Sequence, residues 1–366
     1  MAKVKLPNSV ILFRIGSHKN GSVSRSHLQR CIHIAGEIRD SYTHSICFIV
    51  REDKYAKRLI KRNGFAIYSL SDKLAAYETA ILVQSRSEVI VFDGIDIDNK
   101  IPEALTKSHK QIVVIDDSSN KRLDADAVIN GSFAGGKYRY AKGQRNTRYF
   151  LGPKYCVLSS EYDDFPVRPS AGEVKTVLVS FGSVDPKGFT VKVAKALKDF
   201  RLPYEFIYVI GPGFQQIDEL SDALNEQKSN FYFVENLESL SPLLATADIA
   251  ILSAGRACYE AARVGAPMIV VPTVKHQDDV ASAFGEKTAA FPLVNSWGMP
   301  VREFNVKLVE LLDLVASDKK MRDTVRMNAY RIIDGKGRQR AAKIIMSCIS
   351  LGRKNLSQSQ LPTTMA

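Results

Sequence analysis

The sequence predicts two α/β domains, each a parallel sheet flanked by helices. Three observations carry that expectation. The chain has 366 residues, roughly twice the usual domain length of ~100–200. Short β-branched apolar runs recur along it, and longer amphipathic stretches separate them. At 45 % hydrophobic and 25 % charged residues, the composition suits sizeable cores and excludes extensive disorder.

The elements follow in order. In the first half the apolar runs are Val10–Phe13, Ile46–Val50, Ala66–Leu70, Val89–Phe92, Ile112–Ile115 and Ala127–Ile129. In the second they are Val177–Phe181, Glu205–Ile210, Phe231–Val234, Ile249–Leu252 and Met268–Val271. Runs without alternation suit strands buried on both faces, as in parallel sheets. Between them lie helical patterns such as Leu28, Cys31, Ile32, Ala35 and Ile38, spaced to form one apolar stripe. The alternation occurs twice, which predicts domains over 1–165 and 172–350. The join falls in Asp164–Gly172, which holds Pro166 and Pro169 and no periodicity. A polar, patternless tail over 354–366 is expected to be disordered.

Several function classes drop out. The run Val10–Phe13 is too short for a signal peptide, and no stretch approaches the ~20 apolar residues of a membrane span. The five cysteines are widely spaced and form no CxxC pair, which points to a reducing, cytoplasmic setting. The net charge of +12 fits nucleic acid, an anionic membrane surface or a phosphorylated small molecule. Zinc-finger spacings and the aromatic-plus-basic signature of an RNA-binding sheet are absent, so nucleic acid is not expected.

The strands end alike, in small and polar residues: Arg14-Ile15-Gly16-Ser17, Asp93-Gly94, Asp116-Asp117, Gly182-Ser183 and Ser253-Ala254-Gly255. The carboxyl ends of parallel strands are where open α/β sheets bind ligands, and two such edges facing each other would form an interdomain cleft. Turn formation alone is the plain alternative.

Four constellations could carry chemistry. In Gly21–Arg30, Ser24 or Ser26 can cap a helix and place His27 in its first turn. The helix dipole there disfavours imidazolium, leaving His27 able to accept a proton. Arg30 is electrostatically misplaced in that turn unless an anionic ligand is bound; otherwise the pair are a surface histidine and a solvated arginine. In Ser253–Pro267, the small residues Ser253, Ala254 and Gly255 open a helix whose bare amides suit phosphate oxygens. Glu260 could accept from both hydroxyls of a ribose or merely complement the helix dipole, while His276 and Gln277 follow the next strand and could reach the same ligand. In Ser180–Pro186, Gly182, Ser183 and Asp185 resemble a phosphate loop, but GxxxxGK[ST] is missing and ATP hydrolysis is not expected. Finally, Asp93, Asp116, Asp117, Asp124 and Asp126 lie with Asn130, and Asp96-Ile97-Asp98 and Asp124-Ala125-Asp126 match DxD. No His or Cys cluster supports a metal, so neither metal nor cofactor is expected.

In this order, the constellations resemble the family of the UDP-sugar hydrolase of pseudaminic acid biosynthesis and its spore coat polysaccharide relatives. More distantly they are similar to the lipid-linked N-acetylglucosaminyltransferase of peptidoglycan synthesis. The matching segments include Phe13-Arg14, His27–Arg30, Asp116-Asp117, Asn130, Gly152–Tyr155, Ser180–Asp185, Ser253–Pro267 and Asp334–Gly337. The resemblance implies a GT-B fold, two Rossmann-like parallel-sheet domains facing across a cleft, with UDP on the second domain. It implies ribose on Glu260, diphosphate on Ser253–Gly255, Gly182 and Ser183, and basic help from Arg256. His27 would be the base activating water, with Arg14, Arg30, Asp117, Asn130 and Tyr155 on the substrate side. Ser24 and Ser26 replace the glycines of the family's GxGHxxR segment, Gly16 replaces an aspartate, and Ser159 replaces an arginine. The expected function is a UDP-sugar hydrolase. The alternatives are an inverting glycosyltransferase, which could associate with an anionic membrane, and a non-catalytic nucleotide-sugar-binding protein.

Overall fold

The computed structural model describes residues 11–359 except 18–22, 76, 95–102, 118–122, 142–144, 168–171, 200–202 and 236. The sequence-predicted Asp96-Ile97-Asp98, Gly21 and Ser22 therefore lie outside the described residues. The chain divides into two compact units, Met1–Ser159 with Lys336–Ala366, and Ser160–Gly335.

The first unit begins β1 (Ile11–Ile15), α1 (Arg25–Tyr42), β2 (Ile46–Arg51), α2 (Lys54–Arg62) and β3 (Ala66–Leu70). It continues α3 (Asp72–Ala75), α4 (Glu78–Gln84), β4 (Val89–Asp93), α5 (Glu103–Thr106), β5 (Gln111–Ile115), β6 (Ala127–Asn130) and β7 (Arg148–Leu151). The strands form one parallel sheet in the order β3-β2-β1-β4-β5-β6-β7. The uninterrupted apolar runs have a direct cause. Ile11, Phe13 and Ile15 face one core while Leu12 faces the other, and β2 divides Phe48 from Cys47 in the same way. On the first face Phe13 stacks on Phe48 at 5.2 Å, and the predicted α1 stripe of Leu28, Cys31, Ile32, Ala35 and Ile38 covers the sheet.

The second unit contains β8 (Thr176–Ser180), α6 (Phe189–Leu197), β9 (Glu205–Ile210), α7 (Ile217–Asn225), β10 (Phe231–Glu235) and α8 (Ser241–Thr246). Then follow β11 (Ile249–Ser253), α9 (Arg256–Val264), β12 (Met268–Val271), α10 (Asp278–Glu286), β13 (Phe291–Pro292), α11 (Val301–Ser317) and α12 (Lys319–Ile332). Its sheet is also parallel, in the order β10-β9-β8-β11-β12-β13. In both units the strand order reverses beside the first strand, between β1 and β4 and between β8 and β11. That reversal is where doubly wound sheets open a ligand crevice.

Four expectations need correction. The edge strands β3 and β10 are only partly covered, because an edge strand lacks a neighbour on one side. Strands β7 and β13 add an edge to each sheet and were not expected. The last helix, α13 (Gly337–Ser359), belongs to the first unit, whereas the sequence reading carried the second domain to residue 350. Its stripe Ala341, Ile345, Cys348 and Ile349 joins the core beneath α1, and Arg338 pairs with Glu37 of α1 at 3.0 Å. A Cβ on Gly337 would lie 1.9 Å from the Cys156 carbonyl oxygen, so only glycine permits that approach. The helix also extends to Ser359, into the segment expected to lack structure; residues 360–366 lie outside the description. No described helix is long and apolar enough to cross a membrane.

Candidate functional site

In the first unit the chemistry gathers at the β1/β4 reversal. The Gly16 amide donates to the Asp93 carbonyl at 2.7 Å, and a Cβ on Gly94 would sit 2.3 Å from the Gly16 Cα. This close approach brings the end of β4 against the start of the loop after β1, and it accounts for glycine at position 94. Asp93, the last residue of β4, is fully buried below the first turns of α1.

Helix α1 supplies His27, Arg30 and Cys31 on one side. Ser24 occupies the cap position, but its hydroxyl lies 3.2 Å from that of Ser26 and no side chain caps the helix. His27 lies between two carboxylates, with Nδ1 3.0 Å from Asp93 Oδ1 and Nε2 3.5 Å from Asp117 Oδ2. The Nδ1 contact is off the line of a hydrogen bond. Arg30 donates to both Asp93 oxygens, at 2.6 and 2.5 Å, and to Asp117 Oδ1 at 2.5 Å. These two aspartates therefore resolve the misplaced charge of Arg30 for which an anionic ligand was expected. Cys31 donates its thiol to Asp93 Oδ2 at 3.1 Å.

Charge and burial work in opposite senses here. Burial alone would raise the Asp93 carboxyl, but Arg30 and His27 hold it well below the ordinary carboxylate range. Burial also opposes the Arg30 charge, and Asp117 and Asp93 more than restore it. Cys31 is pushed up, first by burial and then by Asp93, which leaves it a weak nucleophile. Asp117 is half exposed while the His27 side chain keeps 14 % of its surface, so the ring has one deep neighbour and one at the rim.

Three other predicted contacts in this unit are structurally engaged. Arg14 is buried and forms a two-pronged pair with Glu78, at 2.5 and 3.1 Å. Asn130 is fully buried: its amide nitrogen donates to the Tyr140 hydroxyl at 2.9 Å, and its oxygen accepts from the Ser132 amide. Tyr140 in turn donates to Asp116 at 2.8 Å, linking the ends of two strands. Tyr155 packs edge-on against Phe150 at 5.8 Å, a core contact.

In the second unit, Ser253 ends β11, Ala254 follows it buried, and Gly255 begins α9 with no side-chain cap. Helix α9 thus starts directly after β11, beside the β8/β11 reversal. One turn along, Glu260 lies in a nearly buried position with Arg256 Nε 3.0 Å from Oε1. Burial is the main reason its carboxyl is raised; Arg256 opposes that and Glu161 adds to it. Gly182 has φ +87°, and the Ser183 carbonyl accepts from the Gly213 amide at 2.8 Å, which pins the loop after β8. His276 is exposed, and Gln277 accepts from the Thr273 amide at 2.8 Å.

Asp185 requires a correction. It was expected on the ligand, yet it is buried and accepts from the Phe189 and Thr190 amides at 3.0 and 2.7 Å. It therefore satisfies the start of α6, and an anionic cap there would repel a phosphate. Asp185→Ala is expected to lower stability by ~0.5–2 kcal/mol, read from urea unfolding, with UDP affinity changed less than twofold by calorimetry.

Sequence reasoning missed three groups. Asp93 was noticed only among scattered acids, and Glu78 carried no local signal. Arg263 lies within the quoted α9 stretch without a role; it is buried and donates to the Tyr162 and Asp163 carbonyls, each at 2.7 Å. It thereby fastens the segment Ser160–Tyr162 to α9.

Residues 176–324 match the glycosyltransferase family 28 C-terminal domain. The chain is 27 % identical over 265 residues to the uncharacterized protein MJ1062 of Methanocaldococcus jannaschii, covering 69 % of this chain and 54 % of that protein. It thus spans about half the length of that relative. It is 27 % identical over 252 residues to the spore coat polysaccharide biosynthesis protein SpsG of Bacillus subtilis, covering 66 % and 70 % of the two chains. Among solved structures, Acinetobacter baumannii MurG aligns with a TM-score of 0.68 at 14 % identity, over 93 % of this chain and 100 % of that one. Anabaena HepE, solved with UDP and glucose, aligns with a TM-score of 0.51 at 16 % identity, over 95 % and 99 %. The fold is that of the GT-B glycosyltransferases, two Rossmann-like parallel-sheet domains, and the chain is related to SpsG.

Proposed function

We propose that the protein is a UDP-sugar hydrolase whose second unit holds the nucleotide and whose first unit supplies the base. One observation carries the reading: a histidine at the sheet's reversal point has a buried carboxylate beside one ring nitrogen, and the other nitrogen lies toward the half-exposed Asp117. Asp93 lies beside Nδ1, and Nε2 receives the proton of a water as its oxygen attacks the anomeric carbon. The bond from that carbon to the diphosphate oxygen breaks, and its electron pair leaves with UDP. The uncapped start of α9, Gly182, Ser183 and Arg256 meet the charge on the diphosphate, while Glu260 accepts from the ribose. The solved complex of HepE with UDP and glucose supports a nucleotide-sugar ligand for this fold. The relation to SpsG supports a role in building a surface polysaccharide.

The second reading is a glycosyltransferase, favoured by the family 28 match over residues 176–324. The same base would then deprotonate a sugar or lipid hydroxyl, and the net charge of +12 would suit an acceptor on an anionic membrane. The deciding experiment incubates the protein with a panel of UDP-sugars, with and without acceptors, and follows UDP and free sugar by mass spectrometry. Equal release of both without acceptor supports the hydrolase. UDP release only with an acceptor supports the transferase, and UDP binding without turnover overturns both.

A further inference from the structure

Two consecutive carboxylates, Asp116 and Asp117, follow β5, and the structure turns them to different partners. Asp117 accepts from the Arg30 guanidinium at 2.5 Å and stands 3.5 Å from Nε2 of His27. Asp116 accepts from the Tyr140 hydroxyl at 2.8 Å. Its backbone is fixed as well, since the Asp116 amide donates to the Ile129 carbonyl of β6 at 3.0 Å.

The direction of the Tyr140 bond is set from behind. Asn130 is fully buried, and its oxygen accepts from the Ser132 amide at 2.9 Å, which leaves its amide nitrogen toward Tyr140. That nitrogen only donates, so the Tyr140 oxygen accepts there and its one proton goes to Asp116. The bonds from Ser132 through Asn130 and Tyr140 all run one way, each strengthening the next on the path to the Asp116 charge. The Tyr140 ring stacks on Tyr149 with centroids 5.1 Å apart, which keeps the hydroxyl in place. Burial, and then Asp116, push that hydroxyl up, so it stays a donor across the neutral range.

We infer that Tyr140 is a positioning residue: by occupying Asp116, it leaves Asp117 as the carboxylate that meets Arg30 and Nε2 of His27. Its role rests on the reading of His27 as the base and adds how the second carboxylate is selected. Freed from Tyr140, Asp116 competes for the Arg30 guanidinium and draws it off Asp117. The imidazolium formed when His27 takes a proton then loses the negative charge beside Nε2, and the rate falls.

The test isotope-labels the histidines of the full chain and reads the His27 ring by NMR, its signal assigned by its loss in His27→Gln. Tyr140→Phe keeps the stack and removes only the hydroxyl; it is expected to shift the His27 signal in the same sense as Asp117→Asn. Adding Asp116→Asn to Tyr140→Phe should return the signal toward its wild-type position, because a neutral amide does not compete for Arg30. With a UDP-sugar that the wild type turns over, kcat should fall about 10-fold in Tyr140→Phe while KM stays within about twofold, and the added Asp116→Asn should restore the rate. A merely structural tyrosine would lower the urea midpoint and leave the His27 signal in place. That result overturns the positioning role, as does a shift that Asp116→Asn fails to reverse. A reversible shift in a protein that turns over no UDP-sugar keeps Tyr140 in its role and overturns the hydrolase and transferase readings instead.

Discussion

Replacing His27 by alanine should reduce turnover of the UDP-sugar by ~10²–10⁴-fold, the range supplied by a positioned general base. UDP affinity should change little, because the proposed nucleotide groups all belong to the second unit. The geometry makes the separation sharp. His27 lies between Asp93 and Asp117, and the described structure gives its ring nitrogens no backbone to hold. Removing the ring also leaves Arg30 bonded to both carboxylates, so the local ion pairs survive the substitution. Single-turnover kinetics together with UDP titration provide the measurement. Equal losses in rate and UDP affinity would make His27 a binding residue, and unchanged turnover would remove it from the chemistry.

What the sequence reveals about this fold depends on whether the cause is local. Runs such as Ile46–Val50 are legible because burial on both faces demands apolar residues at every position. Strand β7 is not, since Arg148 opens it and Tyr149 is exposed at the sheet edge; β13 is two residues long and ends in Pro292. The stripe on α13 reads plainly as a helix, but its allegiance to the first unit depends on a packing partner some three hundred residues earlier, Glu37. The site divides in the same way. His27 and Arg30 declare themselves by their place at a helix start after a strand. Their pairing with Asp93 requires β4 to lie beside β1, which the topology supplies and no motif records. Asp185 shows the reverse difficulty: an acid between a Gly-Ser turn and a helix reads alike as a ligand contact or a cap, and only the amides of Phe189 and Thr190 decide it.

Asp93→Asn should be the most destabilising single change at the site, costing the first unit about 3–5 kcal/mol near neutral pH. Removing one partner of a buried ion pair leaves the other charge insufficiently compensated. Here the remaining charge is Arg30, whose side chain is only 15 % exposed and which would retain Asp117, a half-exposed neighbour, as its carboxylate. The acid dependence follows from the direction of the Asp93 shift. Its carboxyl titrates lower in the folded chain than in the unfolded one, so its stabilisation is complete above the ordinary aspartate value of about 4 and declines as pH falls toward the folded value. The gap between wild type and variant should therefore be widest at neutral pH and narrow below about pH 4. Urea is the appropriate denaturant, because guanidinium chloride would screen charge effects. Trp297 lies in the second unit, so its fluorescence is a poor monitor of this change; hydrogen exchange at the β1 and β4 amides reads it directly. A gap that stayed constant from pH 7 to pH 3 would show that Asp93 contributes by shape and packing, and the carboxylate would lose its role as the charged partner that holds Arg30 and His27 in place.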